Sequence, residues 1–467
     1  TLLKERYRME QITKPHCGAR LDRLPDCRWH SSMFAIVAFG LLVCWSNAVG
    51  GLILAQLKAL GWTDNSTTAT FSAITTAGMF LGALVGGIIG DKTGRRNAFI
   101  LYEAIHIASM VVGAFSPNMD FLIACRFVMG VGLGALLVTL FAGFTEYMPG
   151  RNRGTWSSRV SFIGNWSYPL CSLIAMGLTP LISAEWNWRV QLLIPAILSL
   201  IATALAWRYF PESPRWLESR GRYQEAEKVM RSIEEGVIRQ TGKPLPPVVI
   251  ADDGKAPQAV PYSALLTGVL LKRVILGSCV LIAMNVVQYT LINWLPTIFM
   301  TQGINLKDSI VLNTMSMFGA PFGIFIAMLV MDKIPRKTMG VGLLILIAVL
   351  GYIYSLQTSM LLITLIGFFL ITFVYMYVCY ASAVYVPEIW PTEAKLRGSG
   401  LANAVGRISG IAAPYAVAVL LSSYGVTGVF ILLGAVSIIV AIAIATIGIE
   451  TKGVSVESLS IDAVANK

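Results

Sequence analysis

Gly90-Asp91-Lys92-Thr93-Gly94-Arg95-Arg96 is a short charged stretch between two apolar runs, and Met331-Asp332-Lys333-Ile334-Pro335-Arg336-Lys337 echoes it about 240 residues later. Further pairs keep nearly the same offset. Glu146-Tyr147-Met148-Pro149, followed by Arg153-Gly154, is matched by Pro387-Glu388, followed by Arg397-Gly398. Pro211-Glu212-Ser213-Pro214 is matched by Ile449-Glu450-Thr451-Lys452. A constant offset means two copies of one unit, and the stretches between motifs are apolar. Two pseudo-equivalent helical halves that rock against each other give alternating access to a site between them.

The composition fits such a bundle. Of 467 residues, 55% are hydrophobic and 13% charged, against roughly a quarter charged in a soluble domain. A formal net charge of +11 would point to nucleic acid in a soluble protein. Here the positive residues cluster in loops of one side, which is a topology signal, and no nucleic-acid partner is expected. The seven cysteines show no metal-ligand spacing and read as small packing residues.

Spanning helices need roughly 20 mostly apolar residues. Twelve candidates follow, at about 33–57, 69–89, 98–115, 121–143, 157–182, 190–209, 273–299, 309–331, 338–356, 360–386, 399–422 and 426–448. The expected fold is all-α, with twelve transmembrane helices in two pseudo-symmetric six-helix bundles. The expected divisions are an N-terminal segment 1–32, a first bundle 33–210, a central loop 211–272, a second bundle 273–448 and a tail 449–467. Tyr223 to Ile238 in the central loop reads as an amphipathic helix. Lys and Arg crowd the N-terminal segment and the loops after spans 2, 4, 6, 8 and 10, while the other side holds only Lys58, Arg189 and Lys307. Both termini and the central loop are therefore expected in the cytoplasm. Glycines at four-residue spacing, Gly82, Gly86 and Gly90 in span 2 and Gly130 and Gly134 in span 4, allow close helix approach.

With Gly90–Arg96, Arg126 followed by Gly130 and Gly134, and Pro211-Glu212-Ser213-Pro214-Arg215-Trp216-Leu217 in view, the chain resembles the major facilitator superfamily, in the branch of sugar porters, aromatic-acid symporters and organic-ion transporters. Gly18-Ala19-Arg20-Leu21-Asp22-Arg23-Leu24-Pro25 and Arg397-Gly398-Ser399-Gly400 are similar to bacterial inner-membrane metabolite transport proteins. The resemblance implies a multi-pass inner-membrane transporter, here expected as a monomer. It also implies a charged network that locks the cytoplasmic side while the outside is open. Asp91, Arg95, Arg96, Glu146, Arg153 and Glu212 would form it in the first half, and Asp332, Arg336, Glu388, Arg397 and Glu450 in the second. Pro335 stands where the first copy has Gly94, so the two networks are expected to differ in strength.

Ionisable residues inside a span cost roughly 2.5–3.5 kcal/mol on insertion scales and are functional candidates by default. Arg126 lies roughly 8 Å into span 4, and Arg407 roughly 12 Å into span 11. Sugar porters of the resembled family pair the span 4 arginine with a span 1 aspartate that carries the coupling proton. Span 1 here reads Leu42-Val43-Cys44-Trp45-Ser46-Asn47-Ala48-Val49, without an acid. An arginine without a resident anion leaves a positive site for a substrate carboxylate, and Arg407 would add to it. Trp45, Asn47, Asn165, Asn285, Gln288, Tyr289, Tyr377 and Tyr380 are further lining candidates, with helix–helix packing as the alternative. Asn285, Gln288 and Tyr289 share one helix face. Glu103 and His106, three apart in span 3, read either as a structural pair or as a displaced proton carrier.

No metal cluster, nucleotide loop or nucleophile–base set is visible in the sequence, so neither a cofactor nor an enzyme activity is expected. The expected function is secondary active transport of a small organic anion, an aromatic or sugar-derived carboxylate, and the family resemblance alone implies that protons drive it. The alternatives are a sugar or polyol porter, or a transporter-like sensor that does not translocate.

Overall fold

The computed structural model describes residues 15–25, 27–149, 153–248, 261–331, 333–390 and 394–452. Asp332 and the side chain of Arg153, both expected in the charged networks, lie outside the described residues. All regular structure among the described residues is helical. Helices dominate because lipid offers no partner to a free backbone donor or acceptor.

Among the described residues nine helical stretches are long and apolar enough to cross a membrane, counting the broken span 8 as one and with the last of them holding two spans. Span 2 is Asn65–Thr93, span 3 Arg95–Ala114, span 4 Met119–Tyr147 and span 6 Ala184–Tyr209. Span 7 is Gly268–Thr301, span 9 Arg336–Ser355, and span 10 starts at Met360–Cys379 and runs through a π-turn, Tyr380–Tyr385. Lys395–Ile447 contains spans 11 and 12, folded back at Gly425, whose φ of 63° suits glycine. The remaining spans are interrupted helices. Together they make twelve spans in two six-helix bundles.

The interruptions correct the expectation of continuous helices. Span 5 is Arg153–Asn165 and Ser167–Leu178, and span 8 is Leu306–Met317 and Gly319–Val330. Each first segment ends four residues before a proline, Asn165 before Pro169 and Met317 before Pro321, whose ring clashes with the carbonyl at that distance. Span 1 is Arg28–Val43 and Gly50–Ala59, and residues 44–49 between them leave the helix without any proline. Its break is stabilised by tertiary contacts, described below.

Glycines set the helix spacing, and they do so twice. A methyl group on Gly78 or Gly82 of span 2 would sit 2.3 and 2.1 Å from the carbonyl oxygens of Phe127 and Val131 of span 4. Gly130 and Gly134 return the contact onto Thr75 and Met79. In the second half Gly319 and Gly323 press on the carbonyls of Phe368 and Thr372, at 2.4 and 2.2 Å. Every one of these second-half positions is its first-half counterpart plus 241, so the duplication extends from the charged motifs into the packing.

The halves meet on the side remote from the termini. Gly51 would place a methyl 2.4 Å from the Ile292 carbonyl of span 7, and the Asn65 amide donates to the Ser422 hydroxyl at 2.9 Å. Deeper in, Asn313 of span 8 donates to Ser172 of span 5 at 3.1 Å. On the termini side, the amphipathic helix Tyr223–Thr241 clasps a short helix, Cys17–Asp22, that hydropathy did not reveal. Arg20 bonds Glu227 and Glu234, and Arg23 adds a bond to Glu234 at 2.6 Å.

Candidate functional site

Arg126 is 1% exposed, in span 4. Its Nη1 donates to the Ser46 carbonyl at 2.7 Å, and its Nε donates to the Thr75 hydroxyl at 3.2 Å. The guanidinium lies over the Phe71 ring, 4.6 Å from its centroid. Ser46 is in the break of span 1, where its carbonyl has left the helical ladder. Arg126 takes up that freed acceptor, which is why the break can stand inside the bundle. Gly50 opens the second half of the span: a methyl there would lie 2.9 Å from Arg126 Nη2 and 3.3 Å from the side-chain oxygen of Asn293 in span 7. Arg126 therefore reaches the boundary between the halves, and no acidic side chain bonds it among the described residues.

A second polar connection leaves the same residue. The Ser46 hydroxyl is 2.7 Å from Nε2 of His106, and His106 Nδ1 is 3.6 Å from a carboxylate oxygen of Glu103. Both side chains are fully buried. Gly132 of span 4 makes room for this, since a methyl on it would be 3.0–3.1 Å from His106. Span 3 thus contacts span 1 through its one histidine.

The other sequence candidates divide. Gly410 touches Tyr289 of span 7 and Thr76 of span 2, which puts Tyr289 at the boundary between the halves. Gln288 stands beside a pair that crosses the same boundary, Tyr168 of span 5 and Tyr375 of span 10, with ring centroids 5.3 Å apart. Trp45 is buried and Asn47 half-buried, both within the span 1 break. Asn285 and Asn165 each donate to the carbonyl four residues back, Leu281 and Ser161. Tyr377 donates to the Val280 carbonyl, and the Tyr380 hydroxyl runs against Gly340 of span 9. Both tyrosines are packed inside the second half, and the span 10 ring that crosses to the first half is Tyr375. The π-turn at Tyr380–Tyr385 resets the helical register after Cys379, so periodicity carried over from Tyr375 and Tyr377 does not assign faces beyond it.

Arg407 is half-buried in span 11, and its Nη1 is enclosed without a hydrogen-bond partner among the described residues. Its neighbour Gly406 touches Asn285 of span 7. Asn285 and Asn293 are eight residues apart, so Arg407 lies about 12 Å along the bundle from the level of Arg126. The two arginines are stations at different depths.

The charged motifs assemble within each half. Arg95 bonds Glu146 at 2.9 Å and Asp91 at 2.6 Å, and Glu212 accepts the backbone N–H groups of Arg95 and Arg96 at 2.7 and 3.2 Å. In the second half Arg336 grips Glu388 with two bonds, 3.0 and 3.1 Å, and Glu450 accepts the N–H groups of Arg336 and Lys337 at 2.8 and 3.2 Å. A carboxylate at the first N–H groups of a helix is favoured by hydrogen bonding and by the helix dipole. Arg397 lies over the Tyr262 ring at 5.2 Å. Around Glu450, burial alone would push the carboxyl up, but three backbone donors outweigh it and hold the group below the usual range.

Two bundles with a polar, charge-bearing seam at mid-depth define a membrane carrier of small molecules. The chain belongs to the Major Facilitator Superfamily, whose profile matches residues 33–414. It is 44% identical over 455 residues to the inner membrane metabolite transport protein YdjE of Escherichia coli, covering 97% of this chain and 99% of that one. It is 26% identical to the niacin transporter NiaP of Acinetobacter baylyi, covering 95% and 99%. In fold it resembles the inward-open xylose transporter XylE of E. coli, with a TM-score of 0.73 at 16% identity over 92% of this chain and 99% of that one. The protein is a metabolite transporter and not an enzyme.

Proposed function

We propose that the protein moves a small organic anion, an aromatic or sugar-derived carboxylate, by alternating access driven by protons. The bundles 33–210 and 273–448 would rock around the seam, with both termini in the cytoplasm of a bacterial inner membrane and one copy sufficient for transport. The observation that carries this reading is Arg126, a buried guanidinium at the boundary of the halves that is held, among the described residues, only by neutral groups. A buried charge without a counter-charge is costly, and a carboxylate arriving between the halves would supply one through a bidentate pair. Asn293, Tyr289 and the Tyr168–Tyr375 pair would then sort ligands by hydrogen bonds and ring contacts. Niacin, named for one relative, is a pyridine carboxylic acid and matches that chemistry.

The test is uptake of labelled nicotinate and of labelled xylose into proteoliposomes with an inward proton gradient. Saturable nicotinate uptake is expected, collapsing with the gradient and falling about 10–100-fold in Arg126→Gln, the worth of a charged hydrogen bond. Undiminished uptake by the variant would sink the role of Arg126. Saturable uptake of the sugar with none of the acid would favour the sugar-porter alternative.

A further inference from the structure

We infer that Glu103 and His106 are the proton-carrying pair of this transporter, and that Ser46 joins them to the anion site at Arg126. The inference deepens the proposed function and rests on it for the identity of the site at Arg126.

Glu103 has both carboxylate oxygens buried without a hydrogen-bond partner among the described residues, and its nearest base is His106 at 3.6 Å. A fully buried acid with unsatisfied oxygens is expensive as a purely structural element, because either charge or lone pairs go uncompensated. The same position is suited to an acid that gains and loses a proton. Span 1 lacks the acid that would do this work elsewhere, and the pair in span 3 reaches span 1 through the shortest route present, His106 to Ser46.

The groups facing the pair are few. From span 1 come the Ser46 hydroxyl and Cys44, whose sulfur is 4.0 Å from His106 Nδ1. From span 4 come Gly132 against His106 and, beyond Ser46, Arg126. Cys125 of span 4 faces Gly113 instead. Tyr102, on the pair's own helix, turns to the Gly86 carbonyl of span 2. The acids and bases of span 6 sit at its ends, with Arg189 bonded to the carbonyls of Ala114 and Ser116. Asp91 and Lys92 sit at the termini-side end of span 2.

Ser46 has two functional groups on one residue, and each serves a different partner. When His106 is neutral with its proton on Nδ1, Nε2 accepts and the Ser46 hydroxyl donates. When His106 is an imidazolium, Nε2–H donates and the hydroxyl must accept. The reversal takes place in residues 44–49, a non-helical turn in which the Val49 and Gly50 N–H groups bond the Trp45 and Asn47 carbonyls, leaving the Ser46 carbonyl to Arg126, so a change at the Ser46 hydroxyl is felt at the carbonyl that Arg126 grips. A carboxylate at Arg126 would compete for that same Nη1 donor. Proton and anion are therefore linked through one residue, Ser46. In the balanced cycle, one proton passes from water on the facing side to the pair, crosses with the anion, and returns to water on the other side; no other bond changes.

The experiment is an infrared pH titration of the full chain in liposomes, following the C=O stretch of protonated carboxyls. The wild type is expected to show a buried carboxyl band that titrates, lost in Glu103→Gln and shifted in midpoint by at least about half a pH unit in His106→Gln. Ser46→Ala and Arg126→Gln are expected to keep the band and to shift its midpoint. No titrating band assignable to Glu103, in protein that elutes as a folded species, would overturn the carrier. A band untouched by Ser46→Ala would overturn the link. A titrating pair alongside undiminished acid uptake by Arg126→Gln would sink the anion reading alone.

Discussion

Arg126 donates to the carbonyl of Ser46 across 2.7 Å, at the point where span 1 has no helix to use that carbonyl. The side chain and the break stabilise each other. A free carbonyl in the bilayer interior would cost several kcal/mol, and a guanidinium there needs acceptors. Lysine at this position keeps the charge but loses the planar fork that reaches Ser46 and Thr75 together. Arg126→Lys is expected to fold, to bind substrate about tenfold more weakly, and to lower thermal stability by about 1 kcal/mol. Uptake and thermal unfolding of the purified variant measure both effects; a variant equal to wild type would show that the fork is not used.

Gly51 allows the second half of span 1 to lie on the backbone of span 7. A valine would meet the Ile292 carbonyl, which would sit 2.4 Å from its first side-chain carbon. Overpacking of that kind costs about 1–3 kcal/mol. The cost falls only on the arrangement in which the halves touch on this side, so the population should shift about 5–150-fold towards the opposite one. Spin labels at Asn65 and Ser422, now joined by a hydrogen bond, should move apart in Gly51→Val. An unchanged distance distribution would refute the assignment of this contact as a closing surface.

The two charged networks use different residues at one equivalent position. Gly94 has φ +97° and would place a methyl 2.3 Å from a Glu212 oxygen, whereas Pro335 has an ordinary φ of −56°. Gly94→Ala is expected to cost about 1–3 kcal/mol through strain and loss of the Glu212 contact. Pro335→Ala should cost under about 1 kcal/mol. Thermal melts of the two variants in the same detergent decide the matter, and equal losses would contradict it.

The clasp between Cys17–Asp22 and Tyr223–Thr241 should respond to acid. Burial would push Glu234 up, but bonds from Arg20 and Arg23 outweigh it, and the carboxyl is held below its ordinary value. A lowered value means the stabilisation is fully present above about pH 4.3, the unfolded value, and disappears as pH falls through the lower folded one. Residues 17–22 of the wild type should therefore lose hydrogen-exchange protection, measured against an unstructured peptide at the same pH, as pH falls through that window. Glu234→Gln should exchange faster already at neutral pH. Exchange insensitive to both acid and the substitution would rule out the clasp.

The Cys17 thiol offers an independent check on the same clasp. Burial, reinforced by the carboxylate of Glu218, pushes it up to about 12. Maleimide labelling at neutral pH is expected to be at least about tenfold slower than for a free thiol. Labelling at the free rate would mean that the short helix does not dock.

Much of this architecture was legible in the amino-acid chain because lipid imposes one simple demand. Every backbone group in the bilayer must be satisfied internally, so long apolar runs become helices wherever they are and whatever they touch. The repeat of Asp91–Arg96 at Asp332–Lys337 announced two halves, and Arg126 and the Glu103–His106 spacing stood out because charge inside a span is costly. Hydropathy is silent on which face of an apolar helix turns to lipid and which to a neighbour, since both surroundings are apolar. For that reason Tyr375 could not be separated from Tyr377 and Tyr380. The break at residues 44–49 was equally hidden: it contains no proline, and what stabilises it is a guanidinium 80 residues and an imidazole 60 residues along the chain, which take the carbonyl and the hydroxyl of Ser46. Sequence alone determined how many helices cross and where charge enters them; only the packing of distant spans decided which charges meet.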